Sequence, residues 1–321
     1  GKIIRKISST SKDGHIDQFN AIESAGTWAP DNERFAFDVY ERGRSVLIIK
    51  NALKGRTVGR IDMPEVPAFS NPAWSPDGKT IVVTGLVNGQ TDLYAYDIKT
   101  KKVRRLTNDV YAEIPPSWNK DGSALAFSTD RLSMQRGRTN GVLTMNLAIM
   151  DMTTGQSEDI DIFQGADNLN PQFDKGSNLL FLSNRDGFRN LYRYDQTTKK
   201  VYQMTNIGTG ISGITPYAPA LSVSEDRDRI VYTHFFNGDY TLWQARTEDF
   251  KSEPIETGSA SLTAGILPPF RPGQRDVVNT NLRLWDNNFK KEEVVTTIEP
   301  VPYKSKFNVE YLGGGIGIGT F

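Results

Sequence analysis

Along most of this chain short apolar runs alternate with polar turns. The pattern is clearest between Ala68 and Asp109, AFSNPAWSPDGKTIVVTGLVNGQTDLYAYDIKTKKVRRLTND. The apolar stretches are rich in Thr, Val, Ile and Tyr and stop at Asp-Gly, Asn-Gly and Lys-Gly turns, with no sustained apolar stripe of helical period. Four strands follow. Strand a ends at Trp74, strand b covers Thr80 to Thr84, strand c Asp92 to Asp97 and strand d Lys102 to Thr107. Between a and b, Pro76 presets φ, Asp77 closes the turn locally and Gly78 takes a positive φ that a side chain resists.

The unit repeats. Trp28 in TWAPDNERFAF, Trp74 in AWSPDGKTIVV, Trp118 in SWNKDGSALAF and Phe173 in QFDKGSNLLF head the same sequence of aromatic, polar turn and apolar strand. Leu221 in ALSVSEDRDRIVY heads a degenerate fifth copy. The spacing matches the roughly 40 to 50 residues of a four-stranded propeller blade. The expected fold is therefore all-β, a β-propeller of five to six four-stranded blades. The copies lie near 23–64, 68–109, 111–163, 165–206 and 211–250. Trp74 and its counterparts are expected to fill the wedge between neighbouring sheets.

The elements NPAWSPDGKTIVV, DLYAYDIKTKKVRRLT and LAFSTDR resemble the WD40-like repeat of TolB-like propellers, which belong to the bacterial cell envelope. The resemblance spans Glu23 to about Phe250. It implies a periplasmic location and a non-catalytic protein-binding or peptide-binding role. The chain enters almost directly into repeat sequence, so the resemblance is to the propeller alone.

Both ends depart from the pattern. KIIRKIS, Lys2 to Ser8, resembles strand d in KKVRRLTND and KKVYQMTN, yet residues 1–10 hold only this orphan outer strand. Residues 251–321 read as a linker and a C-terminal segment. Val277 to Trp285 is consistent with a short helix. KFNVEYLGGGIGIGTF reads either as a strand completing the propeller or as the start of an outer-membrane barrel. Contact with a membrane is expected only through such a barrel in a longer parent. The chain begins at Gly1 and shows neither a signal peptide nor an apolar helical span, so it reads as a fragment or a processed chain.

Composition narrows the chemistry. Thirty-eight basic residues balance thirty-eight acidic ones, which gives no overall field toward nucleic acid, and none is expected as a partner. With no cysteine in the chain, disulfides, thiolate metal sites and a cysteine nucleophile are excluded. No Gly-x-Ser-x-Gly elbow occurs, and His15 and His234, the two histidines, form no His-Glu-x-x-His motif. Catalytic residues, cofactor and metal site are all expected to be absent. Two rival readings keep an enzyme in view. One is the accessory propeller of a peptidase whose catalytic domain lies elsewhere; the other is a carbohydrate-active enzyme using funnel carboxylates such as Glu113 and Asp167.

Binding is expected on the face where the d-to-a and b-to-c loops emerge. Its candidates are Tyr111, Glu113, Arg131, Arg136, Arg138, Asp167, Asn168, Arg185, Asp186, Tyr217, Phe235 and Phe236. Asp130 to Thr144 is read as the longest of these loops, with its arginines placed to grip a carboxylate or peptide backbone. Phe235 and Phe236, before Asn237-Gly238, are read as an exposed aromatic anchor.

Overall fold

Strands form where the apolar alternation runs and stop where Asp, Asn and Gly take over. The computed structural model describes residues 6, 8, 16–20, 22–137, 142–224, 226, 228–261 and 280. The chain divides into one compact unit, Gly1–Ile266, and a second, Leu267–Phe321. Thr280, the one described residue of the second unit, is helical.

The first unit is a five-blade propeller. Blade 1 holds β1 (Gln18–Phe19) and β2 (Thr27–Trp28), both paired with β3 (Arg34–Glu41), then β4 (Arg44–Asn51) and β5 (Thr57–Ile61). Blade 2 runs β6 (Ala68–Trp74), β7 (Thr80–Val87), β8 (Gln90–Asp97) and β9 (Val103–Arg105). Blade 3 runs β10 (Glu113–Trp118), β11 (Ala124–Thr129), β12 (Asn146–Asp151) and β13 (Ser157–Ile160), with helix α1 (Arg131–Arg136) between its second and third strands. After the short β14 (Phe163–Gln164), blade 4 follows as β15 (Asn168–Phe173), β16 (Leu179–Ser183), β17 (Asn190–Tyr194) and β18 (Val201–Gln203). Blade 5 has three strands, β19 (Leu221–Ser224), β20 (Arg229–Phe236) and β21 (Asp239–Ala245).

The structure corrects four expectations. Blade 1 begins at Gln18 rather than near residue 23, because β1 pairs with the far end of β3. The segment expected as one long loop starts as a helical turn, α1. Lys6 and Ser8 belong to no strand; the rest of Lys2–Ser8 lies outside the described residues, as do Arg138, His15, KFNVEYL and nearly all of Val277–Trp285.

The fourth correction concerns the chain beyond Phe250. β22 (Glu253–Ile255) does not complete blade 5 but adds antiparallel to β18 as a fifth strand of blade 4, and β23 (Gly258–Ser259) pairs with β14. A 3₁₀ turn, Thr247–Asp249, redirects the chain. The Arg246 amide donates to Asp249 Oδ2 at 2.6 Å, and the Thr247 hydroxyl donates to Asp228 Oδ1. Pro254 has no N–H to give a further neighbour, which suits it to an edge strand.

Among the described residues four hydrophobic clusters fill the four seams between successive blades. On β7, Ile81 and Val83 pack toward Ala36, Leu47 and Ile49 of blade 1, while the intervening Val82 packs toward Leu125 and Phe127 of blade 3. On β16, Leu179 and Phe181 face blade 3 while Leu180 and Leu182 face blade 5. Strand period two thus becomes a sandwich, with the middle strands β7 and β16 apolar on both faces.

The inner strands are stitched to one another. β6, β10 and β15 each carry a register shift, at Ser70/Ala73, Ile114/Ser117 and Leu169/Gln172. Each shift contains proline, which cannot donate into a ladder. Asn71 and Asn170 sit there at φ 53° and 51°, a region asparagine tolerates. Across the seams the Asn71 amide donates to Ser24 Oγ (3.0 Å), Trp118 Nε1 to the Ala73 carbonyl (3.1 Å) and the Ala220 amide to Asn170 Oδ1 (3.2 Å). Inner-strand residues from all five blades line a central channel of about 420 Å³. At the a-to-b turns, a Cβ on Gly78 would lie 3.3 Å from Pro30 and one on Gly122 3.6 Å from Pro76; both glycines hold positive φ.

Trp74 occupies its seam as expected: it is 6% exposed, bonded through Nε1 to the Gly78 carbonyl and covered by the Arg34 guanidinium. Trp28, which heads blade 1, is 51% exposed. Trp74→Ala should therefore cost about 3 to 5 kcal/mol and Trp28→Ala about 1 kcal/mol or less. Denaturant titration of the two variants checks this, and equal losses would place the stabilising contacts away from the seam.

Candidate functional site

The d-to-a and b-to-c connections gather at one end of the blades in two neighbourhoods. The first lies over blades 2 and 3. Thr107 Oγ1 accepts from the Leu93 amide and lies 3.2 Å from Asp92 Oδ1 and 2.8 Å from Glu113 Oε2. Asp92 also binds Arg105. Arg131, on the first turn of α1, reaches Asp109 at 2.8 Å, Asp159 at 3.8 Å and Glu113 at 3.9 Å, and stacks over Tyr111 at 5.2 Å. Glu113 is fully buried. Burial pushes its carboxyl up to about 8, with Asp109 and Asp92 adding to the rise and Thr107 and Arg131 opposing it. Glu113 Oε1 and Arg131 Nε make no hydrogen bond among the described residues.

The second neighbourhood lies over blades 4 and 5. The connection from β18 to β19 passes beside both b-to-c turns: Ile211 donates to the Arg189 carbonyl, Arg189 Nη1 donates to the Pro216 carbonyl at 2.6 Å, and Thr209 Oγ1 meets His234 Nε2 at 2.9 Å. Asp167 accepts from the Met145 amide; burial raises its carboxyl while Arg189 opposes that, and burial lowers the Arg189 guanidinium. Around this frame stand exposed aromatic and aliphatic side chains. Tyr217 is 47% exposed, and Phe188, Ile214, Phe235, Phe236 and Tyr240 are also exposed. Phe235 and Tyr240 form an edge contact at 5.3 Å across the hairpin.

Comparison with known proteins follows from this geometry. Residues 11–138 match the family model described as the TolB beta propeller domain. The Tol-Pal system protein TolB of Ruthia magnifica subsp. Calyptogena magnifica is 33% identical over 82 residues, 26% of this chain and 19% of that protein. Its counterpart in Francisella tularensis subsp. tularensis is 32% identical over 124 residues, 39% of this chain and 26% of that protein. The solved TolB from Acinetobacter baumannii superposes with a TM-score of 0.54 at 19% identity, over 70% of this chain and 53% of that one. The chain carries a TolB-like β-propeller. It spans only about a fifth to a quarter of the curated relatives' length. A puromycin hydrolase shares the fold at a TM-score of 0.52 and 15% identity, over 72% of this chain and 36% of that one. At these identities the structural likeness is one of fold alone.

Within the TolB-like propeller the expected contact residues divide sharply. Glu113 and Asn168 are corrected to structural positions. Each is the first residue of its inner strand, where the chain turns into the seam, and both are buried. A glycan-cleaving pair built on Glu113 therefore has no surface access through that residue. Arg131 is spent on its carboxylates, and Tyr111 packs beneath it. Arg136 forms a two-pronged pair with Asp161 at 2.8 and 2.7 Å, exposed to solvent. Arg185 lies over Phe163 at 4.9 Å, and Asp186 accepts from the Phe188 amide in its own turn. Phe235, Phe236 and His234 sit on β20 rather than in a loop, yet Phe235 and Phe236 remain exposed. Phe188, Ile214 and Tyr240 were not foreseen; the Asn237-Gly238 hairpin places Tyr240 opposite Phe235. Among the described residues no group of three or more His, Asp or Glu is arranged to hold a metal ion.

Glu113 also gives a pH signature. A carboxyl held at about 8 against an ordinary 4.5 binds its proton more tightly in the folded chain than in the unfolded one. Its burial thus lowers stability progressively as pH rises between these values. Glu113→Gln should flatten that decline and raise the denaturant midpoint at about pH 9 relative to the unsubstituted chain, with little change at about pH 5. A variant that keeps the same slope would place the titrating group elsewhere.

Proposed function

We propose that this TolB-like propeller is a non-catalytic binding module that holds a protein or peptide segment on the loop face of blades 4 and 5. The aromatic rim carries the reading: Phe188, Ile214, Tyr217, Phe235, Phe236 and Tyr240 are each exposed at the loop ends of blades 4 and 5, where Asp167 and Arg189 are half-buried, Phe235 lying against Tyr240 and Phe236 near His234 on the other face of the hairpin. Exposed apolar clusters edged by polar groups mark interaction surfaces, and aromatic anchors supply most of their binding energy. Rigid strands beneath the loops limit the ordering cost of binding.

The relatives are named as Tol-Pal system proteins. In keeping with that likeness we propose a periplasmic location for the parent protein and an envelope protein or peptide as its partner. The propeller's contribution is recognition. Any covalent chemistry of the parent belongs to a further domain.

Envelope extract passed over the immobilised full chain, and over Tyr217→Ala and Phe235→Ala variants, tests the proposal. A protein retained by the unsubstituted chain should then be purified and titrated. Each substitution should weaken it by about tenfold or more, the size expected of a central aromatic anchor. Equal affinity for all three proteins would remove this face as the binding site.

A further inference from the structure

The channel between the inner strands opens at the a-to-b turns, on the end of the blades opposite the aromatic rim. Its lining differs in kind from the rest of the surface. Charged residues make up 24% of the chain, yet among the described residues Lys120 and Asp226 are the only charged ones lining the channel. Lys120 Nζ donates to Asp226 Oδ1 at 2.6 Å, joining the turns of blades 3 and 5, so the pair neutralises itself.

Trp28 stands at this mouth, 51% exposed, its ring meeting Phe35 in a tilted contact at 5.1 Å. It holds the place in the repeat that Trp74 and Trp118 hold, but those two spend the indole N–H on the Gly78 and Ala73 carbonyls. Among the described residues the Trp28 N–H has no such partner. Ser117, Gln172 and Ser222, from blades 3, 4 and 5, line the same cavity, and their side chains make no hydrogen bond among the described residues.

We infer that this mouth is a second binding site, separate from the aromatic rim, and that it takes an uncharged saccharide of a few rings. A pyranose presents C–H groups on a face and hydroxyls around its edge. The electron-rich face of an indole attracts the first, and amides and hydroxyls, which both donate and accept, suit the second. The volume of about 420 Å³ lies in the range of small-molecule sites. A charged ligand would lose its hydration with no uncommitted charge to receive it. An extended peptide needs a continuous row of backbone N–H groups, and the prolines at the register shifts of β6, β10 and β15 interrupt that row. The same prolines fix the wall, which limits the ordering cost of binding.

Isothermal titration of the full chain with cellotriose, maltotriose and chitotriose tests the inference, with trigalacturonate as the charged probe and pentaproline as the neutral peptide. At least one neutral trisaccharide should bind with a Kd of about 1 mM or tighter, and trigalacturonate about tenfold more weakly. Trp28→Ala should weaken the bound trisaccharide about tenfold, and Trp28→Phe should restore most of that loss. Gln172→Ala, which leaves Trp28 in place, should weaken it severalfold and serves should the Trp28 variants not fold. Leu242→Ala, an exposed residue outside the lining, should bind as the unsubstituted chain does. Binding of none of the three trisaccharides overturns the inference, as does unchanged affinity in both the Trp28→Ala and Gln172→Ala variants. Tighter binding of pentaproline than of any trisaccharide also overturns it and assigns the mouth to a peptide.

Discussion

The propeller rests on one constraint: a blade whose middle strands are apolar on both faces cannot stand alone in water. Val82 and Val83 are neighbours in sequence, yet they are buried in different seams, one against blade 3 and the other against blade 1. Fully burying such a side chain contributes about 1.5 to 3 kcal/mol only when both neighbours are in place. The polar stitches between inner strands add little energy by comparison, about 1 kcal/mol each, but they fix the angle at which one sheet meets the next. The register shifts at Asn71 and Asn170 turn backbone or side-chain groups toward the adjoining blade at the points where those stitches are made.

The seams in turn decide which side chains are free for recognition. Over blades 2 and 3 the loop face is closed by its own charges: Arg131 is shared between Asp109 and Asp159, beside the buried Glu113 carboxyl, and helix α1 begins at that arginine. Breaking a half-buried ion cluster of this kind leaves uncompensated charge and costs several kcal/mol, so the arginine holds its loop rather than a ligand. Over blades 4 and 5 the loops are held by contacts to backbone carbonyls, such as Arg189 on Pro216 and Thr233 on Ser212. Those bonds leave the aromatic side chains outward. Fixed backbone with free aromatic rings is the arrangement that binds a partner at low entropic cost.

Much of the fold was legible in the residues because the seam constraint is written in period-two alternation, and the turns in Asp and Gly. Asp77 accepts from the Ser75 hydroxyl and the Lys79 amide. Asp97, Asp151 and Asp195 cap the c-to-d turns through their threonines. Spacing could not show which edge a short strand joins. Glu253–Ile255 has the position of a fourth strand for blade 5, and only the 3₁₀ turn at Thr247–Asp249, anchored through Asp228, sends it to blade 4. Helix α1 was hidden for a similar reason: six residues are too few for periodicity to distinguish a helical turn from a loop.

The mixed outcome for the contact residues has a common cause. Glu113 and Asn168 occupy the same place in the repeat, the first residue of an inner strand, and a place shared by several blades is under the seam constraint whatever side chain fills it. Asn168 bonds the Met145 carbonyl and Glu113 bonds Thr107, each tying its strand to the element beside it. Tyr217, Phe235, Phe236 and Tyr240 lie where blade 5 departs from the other copies, at strand ends and in a connection longer than its counterparts, and all four are exposed. In a repeat fold, polarity is a poor guide to the binding face, because buried seams also need polar ties. Departure from the repeat at a strand end is the better guide, since there a side chain is released from packing and an exposed aromatic has no structural task to account for it.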